Sequence, residues 1–273
     1  MPFYGISSTV ERDAGVRLLV KLCVCVHLIA KALSGCGMLF SQDTDACREF
    51  ADSLAAAERN PDSRGTVDCG ADMLSWGCNG VTVNVRQKID RADTAALVWH
   101  EAIVIATYVQ AHLSNLGHVC DLGAGTGILG IWLAKAGHAS TVVLADRAPW
   151  LPYLNHNIAL NTPPLREGAV VAKSIKWGVR SQLSKRFDTV IASSLLYDST
   201  QHEDLMTTLV HLNPLQRILL AYAIRDSQSE ELFMSKLGEH YDCTLVQSSD
   251  VPGYVVLLWL MNPKLETQTK EPC

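Results

Sequence analysis

Residues 119–130 read VCDLGAGTGILG, and their spacing suits two nucleotide chemistries. Gly125-x-Gly127-x-x-Gly130 matches a dinucleotide fingerprint. Asp121-x-Gly123-x-Gly125-x-Gly127 matches a glycine loop for S-adenosylmethionine (SAM). Glycine serves both, because the backbone must turn sharply and lie against a ligand where a Cβ would intrude. Asp146 ends the next apolar run, and an acid there suits ribose hydroxyls in either case. Asp121 separates the two. A carboxylate at the turn repels pyrophosphate but suits the ammonium and sulfonium of SAM. The residues therefore favour SAM over NAD, with an oxidoreductase as the least favoured reading.

The elements that must position this loop form a repeating pattern. HVCDLG predicts a strand, GILGIWLAKAG a helix, STVVLAD (140–146) a strand and PWLPYLNHNIALN (149–161) a helix. GAVVAKS (168–174) and FDTVIASSLLY (187–197) predict strands, HEDLMTTLVHL (202–212) a helix, QRILLAYAIR (216–225) a strand and SEELFMSKLGEH (229–240) a helix. YDCTLVQ and GYVVLLWLM then read as a pair of antiparallel strands. Apolar strands without alternation are buried on both faces, so the class is α/β with a doubly wound, mostly parallel sheet. Ligands of such sheets sit at the carboxyl ends of the strands, where the glycine loop, Asp146 and ASSLLY all fall. Upstream, TAALVWHEAIVIATYVQAHL (94–113) predicts a helix, and residues 66–87, broken by GCNG, a β-hairpin.

The chain has 273 residues, enough for one such domain with extensions, and nearly half are apolar. A formal charge of −5 argues against nucleic-acid binding as the main activity. The nine cysteines are irregularly spaced and give no zinc pattern, and read as free thiols in a reducing compartment. Residues 17–40 hold an apolar run of about ten residues interrupted by Lys21 and Lys31, short of the twenty or so that a membrane span needs. They read as an amphipathic or buried helix, and no membrane association is expected. The domain reading is an N-terminal helical extension over 1–65, a ligand-binding domain over 66–265 and a tail over 266–273.

Taken together, the segments resemble the family-16 (methyltransferase-like) protein-lysine methyltransferases, a seven-strand SAM-dependent class. The residues that carry the likeness are VCDLGAGTGILGIWLAKAG followed by VVLAD, the Trp-x-x-Ala start of the helix at Trp99, LPYLNHNIALN, the Trp-Gly turn of IKWG, FDTVIASSLLYD and ILLAYAIR. The resemblance implies a seven-stranded Rossmann-like sheet with an antiparallel C-terminal hairpin, and SAM as cofactor. It also implies cofactor contacts: Asp121, with Gly123, Ala124 and Gly125 at the methionine and ribose, Asp146 at the ribose, Trp177 at the adenine, Ser193 after the fourth strand and Trp99 over the methionine end. Either tryptophan taken alone is as well read as core packing.

One departure bears on chemistry. The family's Asp-x-x-Tyr acid falls on Ser194, while Tyr197 is kept. Methyl transfer needs a neutral, positioned amine, and a lysine amine with a pKa of about 10.4 must shed a proton on entry. A carboxylate attracts the ammonium, whereas a serine offers a neutral hydrogen bond. Ser194 and Tyr197 are the catalytic candidates, with Asp198 a possible substitute acid. The resemblance implies a cytoplasmic, monomeric enzyme acting on a protein of chaperone or elongation-factor type. The alternatives are a nicotinamide-type small-molecule N-methyltransferase, suggested by YDSTQHEDL, and a SAM-binding scaffold without catalysis, suggested by Ser194.

Overall fold

The structure, a computed structural model, describes residues 73–87, 94–163, 165–166, 168–179, 186–251 and 254–264. The expectations for residues 1–65 and for the tail lie outside the described residues. A hairpin of β1 (Met73–Cys78) and β2 (Val81–Arg86) comes first, turning at Asn79-Gly80 with both residues at positive φ. The elements that follow are α1 (His100–His112), β3 (His118–Leu122), α2 (Ile128–Lys135), β4 (Thr141–Asp146), α3 (Leu151–Leu160) and β5 (Val170–Ser174). Then come β6 (Thr189–Ser193), α4 (His202–Leu212), β7 (Arg217–Ala223), α5 (Ser227–His240), β8 (Tyr241–Val251) and β9 (Tyr254–Pro263).

Seven strands form one sheet in the order β5-β4-β3-β6-β7-β9-β8. Only β9 is reversed, pairing antiparallel with β7 and β8. The chain winds outward from β3 through β4 to β5 and then crosses back to place β6 on the other side of β3. That reversal leaves a crevice beyond the carboxyl ends of β3 and β6. The central parallel strands β3, β4 and β6 are buried on both faces, which is why they read as continuous apolar runs. Alternate residues of β3 serve opposite layers. Val119 packs with Ile105, Val109, Ile131 and Trp132 of α1 and α2, while Cys120 and Leu122 pack with Leu205, Leu209 and Phe233 of α4 and α5.

The β1–β2 hairpin covers the first of these layers. Its Trp76 meets Trp132 edge-on, with ring centroids 5.9 Å apart. Asn157 of α3 and Asn161, just past its end, bind the hairpin through its backbone. Asn161 accepts from Asn84 N–H at 3.0 Å and donates to Asn84 O at 2.7 Å, as a neighbouring strand would. Asn157, one turn earlier, accepts from Arg86 N–H at 2.9 Å and donates to Thr126 O at 2.8 Å in the glycine loop. Both side chains are buried, so their hydrogen bonds carry the desolvation cost of each group.

Two boundaries differ from the sequence reading. The helix expected over 94–113 begins only at His100. Val98 N–H is held at 2.9 Å by Gln87 Oε1, Trp99 is extended, and Thr94–Ala96 forms a short 3₁₀ turn across the glycine loop. The strand expected over 187–197 ends at Ser193, because Ser194 adopts φ +59 and turns the chain out of the sheet.

Candidate functional site

The glycine loop spends its donors inside the protein. Gly123 and Ala124 N–H both donate to Ala145 O, at 2.8 and 3.2 Å. Gly127 N–H donates to Ala124 O at 2.8 Å, Gly125 N–H to Asp146 Oδ2 at 2.9 Å, and Gly130 N–H to Asp121 Oδ2 at 3.0 Å. Asp121 and Asp146 each accept one of these N–H groups, and their charge disfavours a pyrophosphate at this turn. Asp121 is more than the cation-facing group expected of it: one oxygen anchors the turn following the loop. Burial pushes its carboxyl up to about 7, with the Gly130 N–H opposing and the Asp146 charge adding to the rise.

Gly123 and Gly125 need their missing side chains. Both have positive φ, +64 and +55. A Cβ on Gly123 would stand 2.5 Å from Leu195 Cδ2 and 3.5 Å from the Trp177 ring, and one on Gly125 would stand 3.0 Å from Ala95 O. The loop therefore lies tightly under residues from three other segments.

These segments enclose a cavity of about 780 Å³, within the range of small-molecule sites. All ten candidate residues line it. Asp121, Gly123, Ala124 and Gly125 come from β3 and its loop, and Asp146 from the end of β4. Trp177 reaches it from the turn after β5, a turn clasped to α4 by Gly178 N–H donating to Asp204 O and Thr208 Oγ1. Ser193, Ser194 and Tyr197 follow β6, and Trp99 precedes α1. Ser194 is buried and its Oγ makes no hydrogen bond among the described residues. Tyr197 stands 49 % exposed at the rim, so its ring is available to something entering.

Asp198 does not swing toward Ser194. Its Oδ1 accepts from Thr200 N–H at 3.0 Å and from Thr200 Oγ1 at 2.6 Å, which caps the following 3₁₀ turn. Those bonds hold its carboxyl below the usual range. Sequence reasoning missed Arg225 and Glu101. Arg225 ends the β7 run, lines the cavity and sets its guanidinium carbon 5.8 Å from the Trp99 ring centroid. Its signal was a charge closing a buried strand. Glu101 is fully buried in the first turn of α1, and its signal was a lone acid in an otherwise apolar run.

Known proteins match this architecture. The lysine methyltransferase family matches residues 78–240, more than half of the chain. The chain belongs to the lysine methyltransferase family. Among its relatives, protein N-lysine methyltransferase METTL21A of Mus musculus is 34 % identical over 170 residues, covering 60 % of this chain and 77 % of that protein. EEF1A lysine methyltransferase 3 of Mus musculus is 30 % identical over 165 residues, covering 59 % of this chain and 69 % of that protein. The crystal structure of SMU.776 complexed with SAH shares the fold at a TM-score of 0.52 and 11 % identity, over 70 % of this chain and 56 % of that one.

As a family member the protein is a SAM-dependent protein-lysine methyltransferase. The site suits that cofactor. Its glycine cradle admits backbone-close ligand atoms, and its carboxylates suit a cation. No described helix is long and apolar enough to cross a membrane.

Proposed function

We propose that this protein methylates a lysine side chain on a cytosolic protein of chaperone or translation-factor type, acting as a monomer. A single observation carries the reading: one cavity joins the carboxylate-bearing glycine loop to a rim with Ser194 and Tyr197. The named target of the EEF1A lysine methyltransferase relative supports the class of substrate.

SAM supplies an electrophilic methyl on a sulfonium, which a nitrogen lone pair takes while the thioether leaves. The chain's residues bind, orient and exclude water. In this reading Gly123, Ala124 and Gly125 admit the methionine and ribose, Asp146 accepts from ribose hydroxyls, and Trp177 covers the adenine. Trp99 closes the methionine end, Asp121 holds the loop's geometry and its negative field, and Ser193 lines the wall between them. Ser194 Oγ accepts from the lysine nitrogen, and the Tyr197 ring packs along its methylenes. Burial and the neighbouring positive charge both lower the pKa of an amine entering here, so the proton is lost on the way in.

The test uses purified protein, methyl-labelled SAM and an extract of cells lacking the protein. The expected result is a labelled protein band whose hydrolysate contains methyl-lysine. Label confined to small molecules, nicotinamide included, or no label at all, overturns the reading.

A further inference from the structure

Glu101 lies between Trp99 and Ala102, both of which line the cavity, yet its own side chain is fully buried. Neither Oε1 nor Oε2 makes a hydrogen bond among the described residues, and the same holds for Ser194 Oγ. The two unpaired groups are neighbours. Burial raises the Glu101 carboxyl's pKa, while the helix backbone, the Ser194 hydroxyl and the Arg225 guanidinium pull it back. Around it stand Ser194 after β6, Ala223 and Arg225 at the end of β7, and Tyr254 on β9, whose hydroxyl is 2.9 Å from Nδ1 of His100 on the same helix as Glu101.

A buried carboxylate that no hydrogen bond satisfies is costly in any fold. Two features point to what offsets it. The first turn of α1 places the carboxylate at the positive end of a thirteen-residue helix. Beside it stands Ser194, whose hydroxyl is uncommitted and which lines the cavity that, on the lysine-methylation reading, receives a cation.

We propose that Glu101 is a positioning residue that acts through Ser194. Its carboxylate accepts the Ser194 O–H, which fixes the oxygen lone pairs of Ser194 toward the cavity. There they accept from the nitrogen of the entering lysine. The pair thus delivers, from α1 and from behind a serine, the negative charge that no side chain at position 194 supplies. The inference rests on the lysine-methylation reading and adds a charge source to it.

The experiment compares the wild type with Glu101→Gln, Ser194→Ala, the double variant, and Ser194→Asp in the Glu101→Gln background. Glu101→Gln keeps size and loses charge. It is expected to lower kcat about tenfold or more, with SAM affinity by calorimetry held within about threefold. The double variant should be no slower than Ser194→Ala alone, because the two side chains act in series. Ser194→Asp should restore methyl transfer in the Glu101→Gln protein by moving the charge forward one residue; aspartate tolerates the positive φ there.

A second readout is the pH profile of methyl transfer. In the wild type kcat should fall as pH drops and Glu101 takes up its proton, an acid limb that Glu101→Gln lacks. An unchanged kcat in Glu101→Gln, losses that multiply in the double variant, or identical kcat–pH profiles for the two proteins overturns the proposal. A wild type that labels no lysine overturns the functional reading instead.

Discussion

Asp121 Oδ2 accepts the Gly130 N–H across 3.0 Å, tying the end of β3 to the first turn of the helix after the glycine loop. One carboxylate therefore shapes the loop and charges the cavity. The two duties conflict, because burial raises its pKa to about 7 from an ordinary 3.8. The folded protein holds this proton more tightly than the unfolded chain does. Its contribution to stability is full below about pH 4 and is lost as pH rises toward 7. Asp121→Asn keeps an acceptor for Gly130 and removes the charge. It should be more stable than the wild type at pH 8, equal to it near pH 4, and weaker for SAM. Denaturant midpoints across that range and calorimetry check both halves.

Gly123 shows the steric side of the same loop. Alanine there would meet Leu195 Cδ2 at 2.5 Å and take a left-handed φ of +64. The backbone conformation alone costs about 1–2 kcal/mol. Leu195, which lines the cavity, must then give way. Gly123→Ala is expected to fold with a lowered melting temperature and to bind SAM at least about tenfold more weakly. Gly137→Ala is the control, since its φ is +76 but nothing lies within 4 Å of the added carbon. It should lose stability by a similar backbone cost and keep its SAM affinity.

Much of this architecture was legible because burial writes itself into composition. VCDL of β3 and TVIA of β6 are apolar throughout since helices cover both faces. The glycine loop and the strand-end acid Asp146 were legible because only a turn at the crevice needs those types in that order. The end of β6 was not, since Leu195 and Leu196 continue its apolar run and are buried beyond the sheet. The start of α1 was not, because TAALV carries no helix breaker and the restraint on Val98 comes from Gln87, eleven residues away. Glu101 escaped for a related reason: an acid on a helix ordinarily faces water, and only the packing of β6, β7 and β9 around α1 buries this one.

Asn157 couples the hairpin to the glycine loop, so damage to it should travel. Asn157→Ala leaves Arg86 N–H and Thr126 O without their side-chain partner. Unmatched buried groups cost roughly 1–3 kcal/mol each, and the loss should approach the upper part of that range. Proteolysis under native conditions should then cut within residues 73–87 sooner than in the wild type, and SAM affinity should fall because Thr126 lines the cavity. Asn161→Ala, whose bonds reach the hairpin but not the loop, should share the first effect and not the second.

Tyr197 separates what the rim does from what the cofactor pocket does. Its ring is 49 % exposed while the side chains of Ser194, Leu195 and Leu196 just before it are buried, so it is built into the edge and not into the core. Removing it should leave folding nearly untouched, as for most surface positions, where changes stay within about 0.5 kcal/mol. An entering lysine has four apolar methylenes that an aromatic face can shield, together with a cationic or partly cationic nitrogen that it can attract. If the ring alone matters, Tyr197→Phe should behave as the wild type and Tyr197→Ala should raise KM for the protein substrate by roughly three- to tenfold, the worth of an exposed cation–π and packing contact. SAM affinity should be the same in all three. If Tyr197→Phe instead lost kcat with KM unchanged, the hydroxyl would be taking part beside Ser194, and the role of the ring as a wall would be wrong.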